Sequence, residues 1–190
     1  YTFHKFSDLP ENRIIGSGTI LDTARLRARL SEYYNISQSN VHAYVFGEHG
    51  DSSFIPWSVA NISNVPISKC NELISLPGME SPALNFDEIE QYVRKSGGRV
   101  IARKGATFYA VSISVCHICK CLLAGIDTTM TVSTMMHGEY GIDDVCLSTL
   151  NLVGHDGIRG KVNVPLTDEE TAKLRFSADT LKDVIKNLNI

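Results

Sequence analysis

The sequence lacks the features that mark membrane-bound and nucleic-acid-binding proteins. None of its apolar runs approaches the roughly 20 residues that cross a bilayer as a helix, so we expect no membrane contact. Its 18 basic and 21 acidic residues give a net charge of −3, and the two signs are mixed along the chain. The basic face that nucleic-acid-binding domains usually carry is therefore not expected either.

Cysteine is scarce and forms no recognisable framework. The five cysteines are an odd number, which disfavours paired disulfides and indicates a reducing, cytoplasmic setting. Three of them, Cys116, Cys119 and Cys121, lie on one predicted helix. A zinc site would need a second pair of ligands, and the order Cys-His-x-Cys does not match haem attachment. We interpret these residues as buried thiols that pack as small hydrophobic side chains, and we expect no metal.

The glycine-rich motif of dinucleotide-binding domains is also missing. No predicted strand is followed by Gly-x-Gly-x-x-Gly, and residues 16–18 (GSG) are only a fragment of it, because Leu21 stands where the third glycine would be. The chain begins with Tyr1 rather than methionine. Its 190 residues, 43% of them hydrophobic, are enough for one domain with its own core.

What the sequence does contain is a histidine between two glycines. The apolar run 41–46 ends at Gly47, and Glu48, His49 and Gly50 follow. Because glycine lets the backbone turn sharply, His49 is predicted at the rim of a strand, open to a ligand. A histidine in such a place can give or take a proton near neutral pH. The alternative is a polar turn with a solvated histidine.

An aspartate and an arginine precede this histidine in residues 16–25 (GSGTILDTAR). Asp22 and Arg25 are three positions apart at the start of a predicted helix, so they share a face. An aspartate beside His49 would raise the pKa of the imidazole by favouring its charged form. A guanidinium can bind a carboxylate through two hydrogen bonds. The alternative is an ordinary surface ion pair.

Together, residues 16–25 and residues 47–52 (GEHGDS) resemble the lactate/malate dehydrogenase family. The resemblance extends to residues 104–107 (KGAT), to the turn 138–141 (GEYG) and to the final helix. It therefore covers nearly the whole chain, with two long motifs in the family's order.

The resemblance implies a role for each candidate residue. His49 would be the catalytic acid and base, Asp22 its partner, and Arg25 the clamp for the substrate carboxylate. Thr107 would lie near the substrate and the nicotinamide. The implied activity is the NAD-dependent interconversion of pyruvate and L-lactate. A malate dehydrogenase, or another L-2-hydroxy acid dehydrogenase of the same family, is the alternative.

The resemblance also implies a second domain. In the family a dinucleotide-binding Rossmann domain precedes these motifs, so we interpret residues 1–190 as an excised C-terminal catalytic and substrate-binding domain. NAD would be bound mainly by the other domain, and no cofactor-binding residue is assigned in this chain. We expect the chain alone to be inactive and the intact enzyme to be a homodimer or homotetramer.

Arg27 and His42 form a further candidate site. Arg27 points about 200° away from Arg25 around a helix, so it cannot share the substrate site. In the bacterial L-lactate dehydrogenases that the chain resembles, an arginine and a histidine at the matching positions bind the activator fructose 1,6-bisphosphate at a subunit interface. The alternative is a solvated arginine and a strand-end histidine.

Two other classes of function remain open. Glu48, His49 and Asp51 could be the metal ligands of a hydrolase, although their spacing is tight and no His-Glu-x-x-His is present. A non-catalytic module for effector binding or assembly is the other alternative.

The hydrophobic patterns predict an α+β fold with a mixed or antiparallel sheet and long helices. The largely apolar helix 106–123 is expected to be central and buried, and Trp57 is expected in the core. A capping box at Thr167–Glu170 should begin the last helix, and its predicted apolar stripe is Leu174, Ala178, Leu181, Ile185 and Leu188. The predicted helices are 20–34, 86–95 (closed by Gly97 and Gly98), 106–123 and the one after Thr167; the predicted strands are 41–46, 57–62, 128–137, 145–152 and 158–164; residues 77–82 are predicted as a loop.

Overall fold

A computed structural model describes residues 1–74 and 84–188, so the predicted loop 77–82 lies outside the described residues. The helices in these ranges are α1 (Thr2–Phe6), α2 (Ile20–Tyr34), α3 (Cys70–Leu73), α4 (Phe86–Arg94), α5 (Ser96–Lys104), α6 (Tyr109–Ala124) and α7 (Asp168–Lys186). The strands are β1 (Val41–His42), β2 (Asn61–Ile62), β3 (Val65–Pro66), β4 (Thr128–His137), β5 (Asp143–Gly154) and β6 (Gly157–Lys161).

Three antiparallel strands in the order β4-β5-β6 form the larger sheet, and β1-β2-β3 form a smaller one. In the larger sheet β4 begins with Thr128 opposite Val153, and a tight turn between Gly154 and Gly157 returns the chain into β6. β-Branched residues favour these strands. The predicted α+β class is confirmed, although β6 ends at Lys161, earlier than predicted.

α2 is an amphipathic helix, and its predicted range is confirmed. Leu26, Leu30 and Tyr34 follow one another at steps of four and are at most 1% exposed. They pack in one core cluster with residues of the smaller sheet and of α4. Asn35 adopts a left-handed conformation with a φ of 50° and ends the helix, as its polar side chain permits.

α7 begins with the predicted capping box. The Thr167 hydroxyl accepts the backbone N–H of Glu170, and the Glu170 carboxylate accepts the backbone N–H of Thr167. Leu174 and Ala178 are buried beside Phe46 and β5. The rest of the predicted apolar stripe is less buried: Leu181 and Ile185 are partly buried, and Leu188 is 51% exposed.

The predicted strand 41–46 is only partly a strand. Val41–His42 belongs to the smaller sheet, whereas Gly47 pairs with Ser148 of the larger sheet. The extended chain between them passes from one sheet to the other, so its apolar pattern reflects burial rather than a continuous ladder.

The predicted strand 57–62 is also wrong over its first half. Residues Trp57–Val59 form a 3₁₀ turn, and only Asn61–Ile62 is a strand. Pro56, which has no N–H to donate to a ladder, precedes this turn. The Trp57 ring packs against that of Phe86 with 4.6 Å between centroids and is partly buried. It therefore lies at the edge of the core rather than at its centre.

The glycine pair at 97–98 does not end a helix, contrary to the prediction. α4 ends at Arg94, and α5 starts at Ser96 and continues through both glycines. The helix ends instead at Gly105, which has a left-handed φ of 82° that glycine adopts without strain.

α6 buries only one face, so the expectation of a central, buried helix is wrong for the described residues. Ser114, Ile118 and Cys121 recur at steps of four and three and are the buried ones. Cys116 and Cys119 are exposed, because they project from the other side of the helix. Their interpretation as buried thiols is therefore wrong, and it holds only for Cys121. No helix within the described ranges has the length and apolar character needed to cross a bilayer.

Candidate active site

His49 lies on a turn of residues 47–52 that is anchored at its base. The backbone of Gly47 exchanges two hydrogen bonds with Ser148 of β5, at 3.0 and 3.1 Å. Gly47 has a φ of 96°, a conformation that favours glycine. The turn, which we call the His49 turn, holds the imidazole at the surface with its side chain 61% exposed.

Asp22 connects this histidine to the first turn of α2. Its side chain is only 7% exposed. Oδ2 of Asp22 is 2.6 Å from Nδ1 of His49, and Oδ1 accepts a hydrogen bond from Nη1 of Arg25 at 3.1 Å. One buried carboxylate thus orients both other residues, and we call Asp22 and His49 the dyad.

The dyad changes the proton affinity of the imidazole. The hydrogen bond to Asp22 is the main influence and raises the pKa of His49; partial burial and the positive charge of Arg25 act in the opposite direction, and Glu48 adds to the rise. The net pKa lies above its ordinary value of 6.5. Because the carboxylate holds the Nδ1 proton, Nε2 is the nitrogen left to exchange a proton with a ligand.

Two threonines on either side of Asp22 fix α2 against the chain that leads to His49. The Thr19 hydroxyl donates to the carbonyl oxygen of Val45 at 2.5 Å, and the Thr23 hydroxyl accepts the N–H of Val45 at 2.9 Å. Both threonines are buried. Since Thr19, which caps α2, and Thr23 in its first turn satisfy both backbone groups of Val45, the start of α2 is fixed against the chain that leads to His49.

The glycine at position 18 permits a close approach to the larger sheet. It has a φ of 51°, and a Cβ there would lie 2.2 Å from Oγ of Ser148 and 2.7 Å from the backbone nitrogen of Ser133. Oγ of Ser148 also accepts the N–H of Thr19 at 3.1 Å. Sequence reasoning missed Thr19, Thr23 and Ser148. Both threonines at least lie within the motif of residues 16–25, whereas no local signal marks the serine.

A small cleft of about 120 Å³ opens beside His49 and Arg25. A cleft of this size suits a small ligand such as a carboxylic acid rather than a large one. Thr107, in the segment before α6, also lines the cleft, so the structure brings it together with His49 and Arg25. The lining residues are Ser17, Gly18, Ile20, Leu21, Arg25, His49, Gly97, Thr107, Val111 and Ser114.

Larger clefts lie elsewhere on the molecule. Two of about 410 Å³ are found beside β4, one against residues 1–16 and the other near Lys161. Neither contains the dyad. We assign the chemistry to the smaller cleft because a proton donor and a cationic fork converge there.

The structure places Arg27 and His42 away from this cleft. Nη2 of Arg27 donates to the carbonyl oxygen of Gln38 at 2.9 Å. His42 is exposed on β1, opposite Asn61. Neither residue lines the cleft at His49.

The geometry also bears on the metal-hydrolase alternative. The carboxylate of Glu48 turns back to accept the N–H of Ser52 at 3.1 Å, and Nδ1 of His49 is engaged by Asp22. Across the described residues, no group of three or more His, Cys, Asp or Glu side chains is arranged to hold a metal ion. Two of the three ligands that this alternative needs are therefore already engaged by neighbouring groups.

Comparisons with known proteins agree with this geometry. The family model for the lactate/malate dehydrogenase, alpha/beta C-terminal domain matches residues 19–189. The chain is 42% identical to an L-lactate dehydrogenase of Acetivibrio thermocellus over 191 residues, covering 100% of this chain and 59% of that protein. It is also 42% identical to an L-lactate dehydrogenase of Thermoanaerobacterium saccharolyticum over 190 residues, covering 100% of this chain and 60% of that protein.

Solved structures give the same result. A lactate dehydrogenase from a Medee basin deep-sea metagenome library superimposes with a TM-score of 0.92 at 33% identity, covering 98% of this chain and 59% of the other. The L-lactate dehydrogenase from Clostridium thermocellum superimposes with a TM-score of 0.88 at 36% identity, covering 100% of this chain and 61% of the other. The chain thus spans about 60% of the length of the relatives it matches.

Proposed function

The chain belongs to the lactate/malate dehydrogenase family, and from this premise we propose that it is the catalytic and substrate-binding part of an L-lactate dehydrogenase. The observation that carries the proposal is the 2.6 Å pairing of His49 with Asp22 beside a cleft that Arg25 also lines. L-Lactate is favoured over malate because the curated relatives described above are named L-lactate dehydrogenases.

Arg25 would hold the substrate carboxylate. Its side chain is only 17% exposed, and Nη1 is engaged by Asp22, so the direction of the guanidinium is fixed. A fixed planar fork binds a carboxylate through two parallel hydrogen bonds. With the carboxylate so placed, the neighbouring carbonyl oxygen of a 2-oxo acid would lie towards Nε2 of His49, which is a positioning effect.

His49 would move the proton. Its Nε2 proton would pass to the substrate oxygen during reduction and would return during oxidation of the hydroxy acid. Asp22 favours the protonated ring and holds its orientation. A nicotinamide dinucleotide supplies the hydride when it is bound.

The described residues fit only a small part of such a cofactor. The cleft of about 120 Å³ is well below the roughly 300–1,000 Å³ of pockets for larger ligands, and the sequence contains no strand followed by Gly-x-Gly-x-x-Gly. We therefore infer that residues 1–190 form the catalytic domain and that a separate domain of the complete enzyme holds NAD. Thr107 and Val111 would contribute to the wall beside the nicotinamide.

Arg27 and His42 are proposed as an effector site for fructose 1,6-bisphosphate. Arg27 is tied to Gln38, in the turn that leads into β1, and His42 lies on that strand. Because neither lines the substrate cleft, an effector bound there would not compete with substrate. Such a site would lie at a subunit interface of a homodimer or homotetramer. A cytoplasmic setting is proposed because all five cysteines are free.

The test is turnover of the complete enzyme with pyruvate and NADH, and with L-lactate and NAD. His49→Gln keeps a polar side chain but cannot exchange a proton, so turnover should fall at least about a hundredfold in both directions. The matched control is His155→Gln, which changes an exposed histidine in the β5–β6 turn and should keep wild-type turnover. Wild-type activity in His49→Gln would contradict the proposal. The 190-residue chain alone should show no turnover, and activity near that of the complete enzyme would remove the need for a separate cofactor domain.

A further inference from the structure

Two buried polar side chains of α7 reach the segment that carries His49. Glu170 is 8% exposed and Ser177 is 0% exposed. They are seven positions apart, which is about two helical turns, so both lie on the face of α7 that packs against the rest of the domain. A buried polar group needs hydrogen-bond partners, and both side chains find them in residues 48–58.

Ser177 closes a ring of hydrogen bonds around the His49 turn. Its Oγ accepts the backbone N–H of Glu48 at 2.8 Å and is 3.0 Å from Oγ of Ser52. The backbone N–H of Ser52 in turn donates to Oε1 of Glu48 at 3.1 Å. In the chain His49 lies between Glu48 and Ser52, which this ring joins. Ser177 of α7 is the member of the ring that lies outside the His49 turn.

The approach of α7 to the turn is close enough to require glycine. A Cβ at Gly47 would lie 2.6 Å from Oγ of Ser177 and 3.2 Å from its Cβ. Real Cβ atoms do not approach other heavy atoms within 3.0 Å. The glycine that precedes Glu48 therefore admits the serine hydroxyl to the backbone of the turn.

Glu170 holds the far end of the same segment. Its carboxylate accepts the backbone N–H of Ser58 at 3.0 Å and the hydroxyl of Ser58 at 2.5 Å. Burial raises the pKa of Glu170, but the hydrogen bonds from Ser58 and Thr167 outweigh it, so the net pKa lies below its ordinary value. Glu170 is therefore a charged anchor that joins the start of α7 to the chain after the turn.

We propose that α7 positions the catalytic histidine, with Ser177 as the positioning residue and Glu170 as a second anchor. The kinetic part of this inference rests on the proposed function. A segment held by Ser177 within the His49 turn and by Glu170 at Ser58 keeps the His49 ring within hydrogen-bond distance of Asp22. Without the Ser177 hydroxyl the N–H of Glu48 loses its acceptor, and the His49 turn becomes more mobile. The hydrogen bond between His49 and Asp22 is then formed for a smaller fraction of the time.

The first measurement is the steady-state kinetics of the complete enzyme carrying Ser177→Ala. The kcat for pyruvate should fall between about tenfold and a hundredfold, because misplacement of a catalytic group by about 1 Å has effects of that size. The KM for pyruvate should change less than about threefold, because Arg25 lies on α2 and not on the His49 turn. Thr180→Ala is the matched control, since the Thr180 hydroxyl donates only within α7, to the carbonyl oxygen of Phe176. It should leave both constants unchanged.

The second measurement does not depend on turnover. Diethyl pyrocarbonate acylates neutral imidazole, so the pH dependence of His49 labelling, followed by peptide mass spectrometry, reports its protonation. The labelling midpoint should move to lower pH in Ser177→Ala, because the bond to Asp22 is the main cause of the raised pKa. If the wild-type enzyme turns over no 2-oxo acid, the proposed function fails, and the labelling midpoint still decides the positioning role.

The inference is overturned if Ser177→Ala lowers only the unfolding temperature and leaves kcat and the labelling midpoint at their wild-type values. If Ser177→Ala does not fold, Ser52→Ala opens the same ring from the side of the turn and is judged by the same two measurements. Glu170→Gln keeps an acceptor for the cap but removes the charge. It should shift the midpoint in the same direction by a smaller amount, and a shift larger than that of Ser177→Ala would contradict the assignment of Ser177 as the main anchor.

Discussion

Replacing Asp22 by asparagine isolates the contribution of one charge to the dyad. Asp22 is 5% exposed and bridges Nδ1 of His49 and Nη1 of Arg25. Asparagine has nearly the same shape, so the substitution removes the negative charge and one acceptor oxygen while α2 keeps its packing. The amide that replaces Oδ2 would also direct a donor at Nδ1, where the carboxylate accepts a proton.

The size of the effect follows from the bond that is lost. A hydrogen bond to a charged group contributes about 1.5–3 kcal/mol. Because the His49 side chain is 61% exposed, water screens the interaction and we take the lower end of that range. A loss of about 1.5 kcal/mol corresponds to about a tenfold decrease in kcat. The decrease should be larger if the amide also forces the imidazole into the wrong tautomer.

The assay is the pH profile of kcat/KM in both directions, measured on the complete enzyme. With the carboxylate gone, the pKa of His49 falls, because the hydrogen bond to Asp22 is its largest upward influence. Under the proposed function pyruvate reduction needs protonated His49, so it should be lost at a lower pH than in the wild type. Lactate oxidation would need the neutral ring and should extend to lower pH. Asp51→Asn removes an exposed carboxylate from the same turn and should leave both midpoints in place. An unchanged profile in Asp22→Asn would show that the dyad is misassigned.

Three further predictions follow from the site and its supports. Arg25→Lys should raise the KM for pyruvate by roughly ten- to a hundredfold and change kcat less, because an ammonium group cannot form both of the parallel hydrogen bonds of the guanidinium. A decrease in kcat as large as the increase in KM would contradict the clamp role. Gly18→Ala should lower the free energy of unfolding, measured in urea, by about 1–2 kcal/mol for the left-handed backbone and a further 1–3 kcal/mol for overpacking. Gly105→Ala should incur only the backbone cost, because a Cβ there meets nothing within 4 Å. The double variant Arg27→Gln with His42→Gln should keep basal turnover and lose activation by fructose 1,6-bisphosphate, and equal activation in both proteins would remove the effector site.

The helices were predictable where their ends carry local signals. The capping box at Thr167 and the left-handed Asn35 are properties of a few adjacent residues, and both helices are found where the sequence places them. The strand predictions at 41–46 and 57–62 failed in part because an apolar alternation reports burial and not which segment lies alongside. The prediction that α6 is buried on all sides failed for a related reason. An apolar composition all round the helix does not show which face the rest of this chain covers.

The candidate site shows the same division between local and distant information. Asp22 and Arg25 share a helix face by spacing alone, and Gly47 and Gly50 flag the turn of His49, so the residues that would bind or transfer are visible in short motifs. The residues that hold them are not, since the bond between Glu48 and Ser177 joins positions 129 apart.

The glycines of the two motifs nevertheless record these distant partners. Gly18 and Gly47 both have a left-handed φ that favours glycine; in addition, a Cβ at Gly18 would meet Oγ of Ser148 and the backbone nitrogen of Ser133, and a Cβ at Gly47 would meet Oγ of Ser177. Each glycine therefore marks a place where another part of the chain approaches the backbone. The sequence shows that something must fit there, and only the fold identifies the serine that does.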